Sequence, residues 1–96
     1  MPQDRPSRLM PGDIVSHFKR ETLDRPSRRW LYEILHFARH SEDESLFVVY
    51  RALYGTKEVW VRPFAMFMGE VDRAKYPNIR QKYRFERFEG DIPDEE

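Results

Sequence analysis

Trp30-Leu31-Tyr32-Glu33-Ile34-Leu35-His36-Phe37-Ala38-Arg39 is the stretch on which the fold turns. Extended, it places Trp30, Tyr32, Ile34, His36 and Ala38 on one face and Leu31, Glu33, Leu35, Phe37 and Arg39 on the other. Coiled, it places Leu31, Ile34, Leu35 and Ala38 along one helical stripe, so periodicity alone leaves both readings open. The neighbours decide. His40 to Ser45 is a polar, turn-like link of hairpin length, and Leu46 to Tyr54 contains Phe47-Val48-Val49-Tyr50, a run of strong strand formers. Pairing the two runs satisfies both backbones at once, so Trp30 to Arg39 is read as a strand.

Working outward, Pro11-Gly12 turns the chain into a strand over Asp13 to Lys19, with Ile14, Ser16 and Phe18 on one face and Val15 and His17 on the other. After Leu46 to Tyr54, Gly55-Thr56 leads into a short strand, Val59-Trp60-Val61-Arg62, which Pro63 ends. Phe64 to Met68 suits one helical turn closed by Gly69, and Glu70-Val71 is placed as a short fifth strand. The expected fold class is therefore mainly β: a small SH3-like barrel of four or five antiparallel strands with a short helical turn and a C-terminal extension. Closing the sheet would remove exposed edges from so short a chain. The runner-up is an open antiparallel sheet with the C-terminal segment packed across one face as a helix. The expected core is Ile14, Phe18, Ile34, Val48, Val59, Val61 and Phe67.

Ninety-six residues suit one domain, and 17 basic residues balance 17 acidic ones. That balance disfavours a cationic coat for nucleic acid. The absence of cysteine removes disulfides and thiolate metal sites. No apolar run approaches the roughly 20 residues of a membrane span, and the N-terminus lacks the apolar segment of a secretory signal. These features point to a cytoplasmic protein with no membrane partner. The chain divides into an N-terminal arm (1–8), the β-domain (9–71), a basic aromatic extension (72–88) and an acidic tail (89–96).

Over Arg73 to Phe88, the bases Arg73, Lys75, Arg80, Lys82, Arg84 and Arg87 face a single acid, Glu86, and are interleaved with Tyr76, Tyr83, Phe85 and Phe88. Aromatics among cations are what single-stranded nucleic-acid binders use. The plainer reading, that the aromatics pin the extension to the domain and the bases face water, is preferred.

No motif assembles a catalytic site, and no cofactor is expected. His36 and His40 would share a helix face, but on a strand they stand about 13 Å apart, too far for one metal ion. His40-Ser41-Glu42 cannot form a triad locally, because neighbours in an extended chain point to opposite faces. Ser41 to Glu44 suit a turn instead. Arg51 interrupts an apolar run and calls for a partner such as Glu33, Glu58 or Glu70.

Four blocks carry a resemblance. They are Pro11-Gly12-Asp13-Ile14-Val15-Ser16-His17-Phe18-Lys19-Arg20-Glu21-Thr22-Leu23, Ala38-Arg39-His40-Ser41-Glu42, Val48-Val49-Tyr50-Arg51-Ala52-Leu53-Tyr54-Gly55 and Trp60-Val61-Arg62-Pro63-Phe64-Ala65-Met66-Phe67. In order and spacing they resemble the small bacterial proteins grouped as domain of unknown function sixteen fifty-three, over about Pro11 to Val71. Many members join the first two strands by a short glycine turn, whereas Arg20 to Arg29 is longer here. The resemblance implies a compact, bacterial, cytoplasmic β-rich domain and brings no catalytic residue with it.

The expected function is a non-catalytic interaction module that presents one face to a protein or peptide. The candidate contact residues are Trp60, Arg62, Arg39 and His40, with Arg51 or His17 at the edge. If Val59 and Val61 face inward, Trp60 and Arg62 face out, and an outward Trp beside Arg is the pairing most enriched at binding hot spots. The alternative is a nucleic-acid-associated module that uses the basic aromatic extension.

Overall fold

A computed structural model describes residues 8–94. Five strands run in chain order: β1 (Ile14–His17), β2 (Leu31–Arg39), β3 (Leu46–Ala52), β4 (Val59–Pro63) and β5 (Phe85–Arg87). A 3₁₀ turn (Phe18–Thr22) follows β1, and a short helix, α1 (Phe64–Phe67), follows β4. All the pairings are antiparallel, in the order β4-β3-β2-β1-β5. The fold is mainly β, as the sequence implies. The sheet does not close, however: β4 and β5 are its two edges.

The β2–β3 hairpin forms as read. His40 and Ser45 close it through the His40 N–H to Ser45 carbonyl bond at 2.8 Å, and Glu44 takes a positive φ of 63° to complete the turn. The β3–β4 turn uses Gly55 at φ 63°, a conformation that glycine adopts without steric cost. In β2 the register shifts between Ile34 and His36. That irregularity reverses the alternation, so Phe37 rather than His36 continues the face of Tyr32 and Ile34.

One face of the sheet carries the core: Val15, Tyr32, Ile34, Val48, Tyr50 and Ala52, covered by Phe67 of α1 and Phe85 of β5. The Phe67 and Phe85 rings stack with centroids 4.0 Å apart and planes 2° apart, and Tyr50 meets both rings edge-on. Tyr32 hydrogen-bonds Tyr54 through their hydroxyls at 2.8 Å. Burial and that bond push the Tyr32 phenol up, so it stays protonated.

Several expectations are corrected here. Val59 and Val61 are not core residues; they are 52% and 62% exposed. The ladder sets Tyr50 against Trp60 and Val48 against Arg62, which puts Trp60 and Arg62 on the core-bearing face and the two valines on the other. In β1 the fully buried residue is Val15, with Ile14 only partly covered. Phe18 is buried because the 3₁₀ turn begins there and breaks the alternation. Glu70 forms only an isolated bridge to Tyr83, and the fifth strand comes from residues 85–87 instead.

The extension therefore belongs to the sheet, as a strand and not as the helix of the runner-up reading. The Phe18 N–H donates to the Arg84 carbonyl, the Val71 N–H to the Lys82 carbonyl and the Gln81 side-chain amide to the Ser16 carbonyl. Glu21 accepts the backbone N–H groups of Arg80 and Gln81, pinning the loop to the 3₁₀ turn. Except for Arg8, the expected N-terminal arm lies outside the described residues. Residues 89–94 carry no regular structure, and the Pro93 carbonyl accepts a bond from Arg28.

Candidate binding face

β4 positions the first part of the site. The Ala52 N–H bonds the Glu58 carbonyl at 3.0 Å, which fixes the alternation of the antiparallel ladder. Trp60 and Arg62 then bond to β3, while the N–H and C=O groups of Val59 and Val61 point away from the sheet. Pro63 occupies the next outward position, where its missing N–H costs the ladder nothing. Trp60 is 52% exposed although it lies on the core side, because α1 and β5 cover the centre of that face and not its β4 edge.

Arg62, two residues on and so about 7 Å away along the strand, leads into a cavity of about 300 Å³. His17, Lys19, Arg62, Lys75 and Arg84 line it with Asp72, over a floor of Phe18 and Tyr76. Phe18 and Tyr76 meet edge-on at 4.8 Å. Arg62 reaches across the core, with its guanidinium 5.9 Å from the Phe85 ring and its Nε 3.4 Å from the Tyr50 hydroxyl. Lys19 lies between the Trp30 and Tyr76 rings, 5.8 and 5.9 Å from their centroids. The His17 imidazole is lowered to about 4, first by burial and then by the charges of Lys19, Arg62 and Arg84, so it is neutral at pH 7. Its Nδ1 accepts the Lys19 N–H, which assigns the remaining ring proton to Nε2.

Trp30 adjoins this corner in an unusual backbone state, with φ at 70°. A bulky residue there is strained and persists only where its surroundings hold it. Its ring packs 5.3 Å from His17 and 6.1 Å from Tyr54, and its carbonyl accepts the His17 N–H.

The six residues singled out by the sequence fall in three places. His17 and Arg62 line the cationic cavity, with Trp60 beside them on the same strand face. Arg39 and His40 lie at the far end of β2, by a shallow apolar depression formed with Ala38, Phe47, Val49 and Val61. Arg39 donates to the Glu44 carbonyl, and the His40 Nδ1 accepts the Glu42 N–H, so both serve the hairpin turn. Arg51 is on the face opposite the core, 3.4 Å from Glu33, one of the carboxylates anticipated for it. Lys19 escaped sequence reasoning, whereas Lys75, Tyr76 and Arg84 stood out only as part of the basic aromatic extension and not as neighbours of His17. They come from the 3₁₀ turn and the extension, and only the way the extension folds back brings them to His17.

The fold and site define a small open β-sheet whose β4 edge is hydrophobic and, among the described residues, unpaired, with a cationic corner beside it. Among the described residues no helix is long and apolar enough to cross a membrane. The family model described as "Protein of unknown function (DUF1653)" matches residues 13–89, and the chain belongs to that family. No curated protein and no solved structure matches it significantly.

Proposed function

We propose that this protein is a non-catalytic, cytoplasmic binding module that takes an extended peptide segment of a protein partner as a sixth strand along β4. The observation that carries this reading is the edge itself. The outward N–H and C=O groups of Val59 and Val61 are the groups an added strand would bond. Exposed Val59 and Val61 on one face and exposed Trp60 on the other offer side-chain contacts to alternate residues of that segment. Proteins ordinarily blunt such an edge with charge, bulges or a covering segment, and among the described residues β4 has none of these within Val59-Trp60-Val61.

The nucleic-acid reading of the extension has less support. Phe85 is in the core, Tyr76 packs on Phe18, and Phe88 lies under the Arg20 guanidinium, 5.0 Å from the ring centroid. Arg73 bonds the carbonyls of Ile79 and Gln81, and Arg87 pairs with Asp13 at 3.0 Å. These aromatics and arginines hold the protein's own loop.

The test is selection of displayed random peptides on the wild-type protein, followed by binding to Val61→Pro. The Val61 N–H is outside the ladder, so the variant keeps its sheet while losing a donor that the added strand needs. Selected peptides should bind the wild type and lose at least tenfold on the variant. Equal affinity for both proteins would overturn strand addition.

A further inference from the structure

We infer that the cavity between β1, β4 and the extension is a binding site for a phosphate dianion, carried either by free phosphate or by a terminal monoester. This inference does not depend on strand addition to β4, although Arg62 borders both surfaces.

The first observation is convergence. In a chain whose 17 basic and 17 acidic residues balance, four cations from four separate segments meet in one cavity against a single carboxylate. Lys19 comes from the 3₁₀ turn, Arg62 from β4, Lys75 from the start of the extension and Arg84 from the residue before β5. Like charges repel, so gathering them is costly unless an anion relieves the repulsion.

The second observation is that these charges are not committed to carboxylates. Among the described residues, none of the four forms a salt bridge. Arg84 reaches the Glu70 and Met66 carbonyls, at 3.3 and 3.4 Å, and Arg62 a tyrosine hydroxyl and the Phe85 ring. Asp72, the one acid in the cavity, is occupied as a turn cap, its Oδ1 accepting the Ala74 and Lys75 N–H groups.

The third observation is the donor geometry. Neutral His17 offers Nε2–H, the arginines offer flat donor forks, and the lysines offer compact charges. Donors approaching from several directions match a tetrahedral oxyanion better than a planar carboxylate, and four cations match a dianion better than a monoanion. Burial is the largest cause of the lowered His17 pKa, and the charges of Lys19, Arg62 and Arg84 lower it further, registering the same positive field at the ring. An anion seated there neutralises that field and raises the His17 pKa, which gives the site its own reporter.

The experiment follows the His17 ring protons by NMR across pH, in the full-length protein, with inorganic phosphate, adenosine monophosphate, acetate or a 5′-hydroxyl oligothymidylate added. Phosphate and adenosine monophosphate should each produce a saturable change and raise the His17 pKa by one unit or more, with acetate at least tenfold weaker. Tighter binding of adenosine monophosphate than of phosphate assigns the ester as the ligand, and equal binding assigns the free ion. Lys75→Gln, at an exposed position, should weaken phosphate about tenfold while leaving the fold and the Val61-dependent peptide binding intact. Arg84→Gln should do the same to phosphate. The inference is overturned if His17 does not respond to phosphate, if acetate matches phosphate, if the oligothymidylate binds as tightly as the monoester, or if Lys75→Gln binds phosphate like the wild type.

Discussion

His17 is half-buried, and its ring touches Phe18, Trp30 and Phe85 at centroid distances of 4.3, 5.3 and 5.1 Å. It is held neutral at about 4, whereas the unfolded chain binds its proton near 6.5. Between those values the unfolded state carries more protons than the folded state, so stability rises with pH. The full contribution is present above about 6.5 and is lost as pH falls toward 4. Discounted for the solvent that reaches the ring, it amounts to about 1–2 kcal/mol. Urea unfolding from pH 7 to pH 4 should show this loss in the wild type, and His17→Asn should lack it, because the amide oxygen can still accept the Lys19 N–H. Parallel stability profiles for the two proteins would place the His17 ring in water.

At the scale of elements, what the sequence made legible depended on whether neighbours settled each local ambiguity. β2 was readable because a hairpin-length link and the Val48-Val49-Tyr50 run demanded a partner strand. β4 was readable as a strand but not as to its faces: Val59, Trp60 and Val61 are all apolar, so period-two alternation has no polar member to orient it. The ladder to Tyr50 and Val48 decides the faces instead. Arg39, Arg51 and Arg62 were visible as candidate contact residues, and Arg51 met an anticipated carboxylate, yet the cationic cavity was not visible. Its members are separated by up to 67 residues between His17 and Arg84, and they meet only because Phe85–Arg87 pairs with β1. β5 itself escaped notice because Arg84-Phe85-Glu86-Arg87 is charged at three of four positions, and its one buried ring, Phe85, does the packing. A chain ending at Val71 would lose that ring, the Glu21 contacts and the strand beside β1. Such a truncation should abolish cooperative thermal unfolding, followed by far-ultraviolet circular dichroism. A native-like transition in the shortened protein would make the extension dispensable.

At the scale of the whole molecule, the sheet manages its two edges differently. β5 is a three-residue strand backed by its own loop, with Arg87 paired to Asp13. β4 is longer, exposed at Val59, Trp60 and Val61, and uncovered among the described residues. The account of this protein as a binding module rests on that asymmetry, and native-state amide hydrogen exchange in the free protein tests it most directly. The N–H groups of Trp60 and Arg62, bonded to β3, should be protected, and those of Val59 and Val61 should exchange at nearly the rates of an unstructured peptide. Strong protection at Val59 and Val61 would mean that the β4 edge is already paired or covered, and would contradict the account.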